Sequence, residues 1–355
     1  MKKKQIVNRG ISKNIAPKKL FSDIRLLIEE ARKSVAVKVN SALTLLYWNI
    51  GTRINNEILQ ENRAEYGKHI LATLSQQLVL DYSNSFSEKN LRRMVQFADV
   101  YPDEKIVVSL IRQLSWTHFI ALIPIKDDMQ REFYSEMCRI EGWSVRTLRK
   151  KIDSMLFERT ALSKKPEELV KNELALLRRE DKMAPDLVFR DPYFLDFLGL
   201  KDTYLEKDLE SAILREMESF ILELGVGFSF IARQKRIIID GKDYYIDLLF
   251  YHRFLQRLVV IELKLGEFKP EYKGQMELYL RYLDKYEKQI YEEPPIGLIL
   301  CAGKSKESIE LLDLEKSGIR VASYWTEVLP KEQLERKLHE IVKNARMKLE
   351  AKNES

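Results

Sequence analysis

The fold is decided by Tyr244-Tyr245-Ile246-Asp247-Leu248-Leu249-Phe250-Tyr251-His252-Arg253-Phe254-Leu255-Gln256-Arg257-Leu258-Val259-Val260-Ile261-Glu262-Leu263-Lys264-Leu265. Both ends of this stretch are apolar runs rich in β-branched and aromatic residues, and a short polar interval separates them, so they read as two strands of a hairpin. Side chains alternate across a strand. Ile246, Leu248 and Phe250 therefore share one face, and Asp247 lies on the other beside Tyr245 and Leu249. In the second run the odd positions are apolar, and Glu262 and Lys264 share a face two residues apart. A turn at Phe254-Leu255 pairs residues whose numbers sum to 509, which sets Asp247 opposite Glu262. Like charges facing across a ladder cost roughly 0.2–1 kcal/mol, more when desolvated. A cation between them is expected, because Lys264 alone does not neutralise both.

Working outward, Phe228 to Ile239 is a strand, and Asp240-Gly241 tolerates the positive φ of a type I′ turn into Tyr244–Tyr251. Upstream, a helix over 205–224 closes on Gly225, read as a left-handed C-cap. On it Glu210 shares a face with Ile213, Leu214, Met217 and Ile221, which brings a third carboxylate toward the sheet. Such oxygens suit Mg²⁺, with Mn²⁺ able to substitute. Downstream come a strand over 258–265, a helix over 270–286, a strand over 296–301, a helix over 306–316 and a strand over 319–324. The order α-β-β-β-α-β-α-β makes this part an α/β domain.

The N-terminal half has a different texture. Helical periodicity runs from Leu43, Leu46, Tyr47, Ile50 and Ile54 through Ile70, Leu71, Leu74 and Leu78, with few strand signals. Ser87 starts a helix that turns Leu91, Met94 and Val95 inward and stops at Tyr101-Pro102. Ser144 starts another, with Val145, Leu148 and Ile152 inward. The 355 residues accordingly divide into a basic flexible arm (1–19), an all-α basic domain (20–162), a polar, partly helical linker (163–191), the α/β domain (192–330) and a charged C-terminal helix (331–355). Residues 1–165 hold 29 Lys and Arg against 18 Asp and Glu, and the remainder 31 against 36, so the basic excess belongs to the first half. A basic half beside an acidic one suits a polyanionic substrate.

These residues resemble the PD-(D/E)xK metal-dependent nuclease superfamily, whose core is an α-β-β-β-α-β unit with a helix Glu, a strand Asp and an E-x-K strand. Within it, residues 204–325 are similar to the YhcG-type bacterial nuclease family through Asp208-Leu209-Glu210, Arg233-Gln234, Ile246-Asp247 with the strand that follows, Ile261-Glu262-Leu263-Lys264, Phe268 to Tyr272, Gly274-Gln275 and Ile296-Gly297-Leu298. Residues 40–160 resemble the helical N-terminal domain of that family, notably at Tyr47-Trp48-Asn49-Ile50-Gly51 and Gln113-Leu114-Ser115-Trp116. Ile246 stands where the superfamily has proline. The resemblance implies a restriction-endonuclease-like core with a mixed sheet, preceded by a separate all-α domain. It implies phosphodiester hydrolysis, with Asp247, Glu262 and Glu210 holding the metal and Lys264 assisting the nucleophile. It also implies that Gln275, one turn before Tyr279, extends the site.

DNA is the expected substrate and cleavage is expected to be endonucleolytic. Arg233 and Gln234 on the first strand, and Arg146, Arg149 and Lys150 on the helix after Ser144, are the candidate nucleic-acid contacts, with Arg92 and Arg93 on the helix after Ser87. His252 is read as structural. Trp48, Trp116, Trp143, Tyr47 and Phe97 are read as core. The helical domain could also support a homodimer or recruit protein partners. A catalytically silent nucleic-acid-binding or scaffold protein with the same fold is the alternative. No apolar run reaches the roughly 18 residues of a membrane helix, and no apolar segment follows the basic start, so neither membrane insertion nor secretion is expected. Cys138 and Cys301 lie far apart without metal-ligand spacing and are expected reduced, in the cytoplasm. Gly-rich phosphate loops and Ser-His-Asp ordering are absent.

Overall fold

The computed structural model describes residues 18–61, 64–200, 204–304, 309, 311–327 and 329–353. Most of the expected basic arm lies outside these residues, as does part of the helix expected over 306–316. The chain divides into two compact units, 1–123 and 124–355.

The first unit is helical: α1 (Lys18–Glu61), α2 (Ala64–Asp81), α3 (Glu88–Val100), α4 (Glu104–Leu110) and α5 (Trp116–Leu122). Ile54, Leu71, Leu91 and Met94 form its buried cluster, with Tyr47, Ile50, Leu74, Leu78 and Trp116 packed against them. The aromatic residues serve the core as expected: Trp48 Nε1 donates to the Tyr101 carbonyl at 2.8 Å, and Phe97 stacks obliquely on Trp116 at 5.6 Å. Gly51 lets α1 and α3 touch, because a Cβ there would lie 1.9 Å from the Met94 carbonyl oxygen.

The second unit begins with α6 (Asp128–Glu141), α7 (Val145–Asp153), α8 (Leu156–Arg159), α9 (Glu167–Glu180) and α10 (Pro185–Val188). The basic helix expected after Ser144 is α7, in this second unit. Residues 163–191, expected as a partly helical linker, carry α9, which buries Val170, Leu174 and Leu177. Their charges have distant partners, Arg178 with Glu132 at 2.6 Å and Asp191 with Lys304 at 2.6 Å. Segments with that composition read as solvated only when those partners are unknown.

A six-stranded mixed sheet follows: β1 (Tyr193–Phe194), β2 (Phe228–Ile239), β3 (Lys242–His252), β4 (Arg257–Glu267), β5 (Ile296–Gly303) and β6 (Ile319–Trp325). Its order is β1-β6-β5-β4-β3-β2. β2, β3 and β4 pair antiparallel, whereas β4, β5, β6 and β1 pair parallel. Asp240 and Gly241 have φ of 51° and 73°, as the type I′ turn requires. β3 and β4 pair Leu248 with Ile261 and Phe250 with Val259, the register whose numbers sum to 509.

The helix before the sheet differs from expectation. It breaks at Glu216 (φ −104°, ψ 33°) into α11 (Glu206–Arg215) and α12 (Met217–Leu224). The break rotates the buried face to Leu209, Ala212, Ile213, Phe220 and Leu224, leaving Leu214, Met217 and Ile221 half-buried. Gly225 has φ +125°, outside the left-handed helical region, with Arg190 Nη2 3.1 Å from where its Cβ would stand. α13 (Glu271–Tyr286) packs Met276, Tyr279, Leu280 and Leu283 against Leu249, Val260, Ile299 and Cys301. A final α14 (Lys331–Asn353) buries Leu334 and Leu338 beside Phe194. Among the described residues no helix is long and apolar enough to cross a membrane.

Candidate active site

The β3–β4 ladder ends at Leu248 and Ile261, and the next two residues bond through side chains. The Asp247 N–H donates to Glu262 Oε1 at 3.2 Å, and the Leu263 N–H donates to Asp247 Oδ2 at 3.0 Å. The two carboxylates thus take over the ladder positions and are fixed against each other. Glu262 is 3% exposed. Burial, and then the adjacent Asp247 charge, push its carboxyl up to about 7, opposed by Lys264.

Lys264 Nζ lies 3.3 Å from Glu262 Oε2 and 5.4 Å from the centre of the Tyr272 ring. Burial pulls its pKa down, but Glu262, Asp247 and Glu206 outweigh that and hold it above the ordinary lysine value. The ammonium therefore remains charged at neutral pH.

Glu210 reaches the pair through Gln234. The Gln234 amide donates to Glu210 Oε2 at 3.2 Å and to Asp247 Oδ1 at 3.1 Å. Gln234 has φ +44°, which costs a non-glycine residue on the order of 1–2 kcal/mol. Within β2, which continues on either side of it, its side chain reaches both acids.

Among the described residues no three His, Cys, Asp or Glu side chains are gathered as a metal cage. Of the three expected carboxylates, Asp247 and Glu262 face each other directly, and the Gln234 amide bridges Asp247 to Glu210. The donors nevertheless fit a hard divalent cation. Glu210 Oε1 is buried with no hydrogen-bond partner, and the mutual repulsion of Asp247 and Glu262 is only partly offset by Lys264. Among the described residues no arginine pairs with any of the three acids.

Gln275 reaches this group only indirectly. Its Nε2 donates to the Tyr279 hydroxyl at 2.7 Å, which donates to the Tyr245 carbonyl at 3.1 Å. Burial raises the Tyr279 pKa, and Glu262 and Asp247 raise it further, so the ring stands within their field. Arg233 is exposed on β2, and Arg146, Arg149 and Lys150 are exposed on α7. Arg92 is paired with Glu88, and Arg93 donates to Asn90. His252 is buried at the hairpin turn, where its Nδ1 accepts from the Leu255 N–H at 3.1 Å. Burial, and then Arg257, lower its pKa to about 4, so it is neutral.

Sequence reading missed Glu206, whose Oε1 accepts from the Leu265 N–H at 3.4 Å. It lies one helical turn before Glu210, and that i,i+4 spacing was the available signal. Tyr272 was passed over as well, although it sits inside the Phe268–Tyr272 block.

Two family models match the chain: the DUF1016 N-terminal domain over residues 23–159 and the YhcG PDDEXK nuclease domain over residues 186–339. The protein named "Putative nuclease YhcG" of Escherichia coli (strain K12) is 35% identical over 308 residues, which are 78% of this chain and 81% of that protein. Among solved structures, a repair endonuclease from Pyrococcus abyssi is similar at 23% identity and TM-score 0.24, over 37% of this chain and 50% of that one. The EndoMS–dsDNA2 complex is similar at 20% identity and TM-score 0.27, over 37% of this chain and 49% of that one. The matched segment spans about half the length of each of these solved chains.

Proposed function

Since this chain belongs to the YhcG family of PDDEXK nucleases, we propose that it is a Mg²⁺-dependent endonuclease that hydrolyses phosphodiester bonds in DNA. The observation that carries this reading is the fixed, facing pair Asp247 and Glu262 with Lys264 beside it. Asp247 and Glu262 would hold the cation, and Glu210, with its unpartnered buried oxygen, would join them. The bound ion would supply Lewis-acid polarisation of the phosphate and a lowered pKa for its water.

The chain's own side chains do the rest. Lys264, charged at neutral pH, orients the attacking water and offsets the charge that develops on the phosphoryl oxygens. Gln234 holds Glu210 and Asp247 in register, and the Gln275–Tyr279–Tyr245 chain braces the neighbouring strand. Arg233 on β2, with Arg146, Arg149 and Lys150 on α7, contacts phosphates, and the N-terminal helical unit adds to DNA binding. The reading includes a cytoplasmic location, supported by two buried, unpaired thiols, Cys138 and Cys301.

The test is a set of labelled duplex, flap, junction and single-stranded substrates incubated with Mg²⁺, Mn²⁺ or EDTA. Cleavage should need the metal and vanish in Asp247→Ala and Lys264→Ala while circular dichroism stays unchanged. Undiminished cutting by either variant sinks the assignment.

A further inference from the structure

α13 carries more than Gln275 and Tyr279. Tyr282 and Tyr286 continue the same stripe at i+7 and i+11, the spacing that keeps side chains on one helical face. Beyond the carboxylates this stripe borders a cavity of about 440 Å³, walled by Ile238, Ile239 and Asp240 at the β2–β3 turn and by Leu278, Arg281, Tyr282, Lys285 and Tyr286 of α13. The two tyrosine rings lie 5.0 Å apart, and Tyr286 is 64% exposed. Lys285 Nζ stands 5.0 Å from the Tyr286 ring centre. Among the described residues neither Arg281 nor Lys285 has a carboxylate partner. Asp240 is the one acid in the lining, whereas the nearby Glu287 and Asp284 are paired with Lys235 and Lys288.

From this geometry we propose that the cavity is a base-stacking subsite for an unpaired nucleotide of the substrate strand. The inference rests on the nuclease reading above and adds a substrate class: nucleic acid with unpaired bases close to the scissile phosphate. Exposed aromatic faces flanked by free cations bind bases by stacking while the cations meet the backbone. A duplex offers its edges and phosphates but keeps its base faces stacked inside, so it cannot use the rings. Helical rise puts Tyr282 roughly 10 Å, and Tyr286 roughly 16 Å, along the axis from Gln275, within reach of the strand being cut.

The test measures binding, apart from cleavage, by fluorescence anisotropy of the full chain in EDTA. The probes are one labelled mixed-sequence oligonucleotide, single-stranded or annealed to its complement. Tyr286→Ala should weaken the single-stranded complex about fivefold or more, the equivalent of about 1 kcal/mol for one stacked base. Tyr286→Phe, which keeps the ring, should stay within about twofold of the parent, and duplex affinity should not change. Unaltered single-strand affinity in Tyr286→Ala, an equal loss on duplex, or no binding of single strands by the parent overturns the subsite. Ring-dependent binding without any metal-dependent cleavage supports the subsite and refutes the nuclease reading on which its role depends.

Discussion

Replacing Glu262 by glutamine removes a charge that the metal-free fold carries at a cost. The Glu262 carboxyl ionises near 4.5 when unfolded and near 7 when folded, because it is buried beside Asp247. At about 1.36 kcal/mol per pH unit, that difference corresponds to about 3 kcal/mol. The sign follows from linkage. Below about pH 4.5 the group is neutral in both states, and nothing is lost. Between about 4.5 and 7 the unfolded chain gives up the proton that the folded one keeps, so stability falls as pH rises, and above 7 the whole loss is present. Glutamine keeps an oxygen to accept from the Asp247 N–H and carries no charge. In EDTA at pH 8, Glu262→Gln should therefore melt higher than the parent, by roughly 6–12 °C at 2–4 °C per kcal/mol for a unit of this size. At pH 4.5 the two should nearly coincide. Saturating Mg²⁺ should raise the parent melting temperature at pH 8 and leave the variant where it was. Differential scanning calorimetry at the two pH values decides the matter. An equal shift at both, or a variant less stable than the parent at pH 8, would refute the electrostatic account of the site.

Three other outcomes are expected. Gln234→Gly should be more stable than Gln234→Ala by about 1 kcal/mol in chemical denaturation, because only glycine adopts φ +44° without strain, and both should cleave more slowly than the parent; an alanine variant as stable as glycine removes the strain argument. Gly51→Ala, which would add about 1 kcal/mol on helix propensity alone, should instead destabilise by about 1–3 kcal/mol, because its Cβ would collide with the Met94 carbonyl; a gain in denaturant midpoint contradicts the close α1–α3 approach. Replacing Arg146, Arg149 and Lys150 by alanine should flatten the salt dependence of DNA binding by roughly 0.9 in log–log slope for each phosphate that is no longer neutralised; an unchanged slope removes α7 from the interface.

The hairpin was legible because its determinants are local. Alternation of Ile246, Leu248 and Phe250 with Asp247, and a short turn before Arg257, specify one register and with it the Asp247–Glu262 encounter. The Asp240-Gly241 turn is legible for the same reason. Glu210 was placed on the right helix and toward the right neighbours, but through a continuous helical face that the break at Glu216 does not preserve.

Sequence alone thus determined which residues form β2 to β6, which face carries charge and which two acids meet, since backbone geometry sets these within a few residues, whereas the two-residue β1 went unread. Tertiary structure decided what distant segments deliver. It turned Gln234 into a bridge between Glu210 and Asp247, drew Glu206 to the Leu265 amide, and tied 163–191 down by supplying Glu132 to Arg178 and Lys304 to Asp191. Periodicity along the chain carries no information about such partners. Whether a charge faces water or another charge depends on residues brought alongside it from far along the chain, 113 positions away for Lys304 and Asp191, and only the folded chain specifies them.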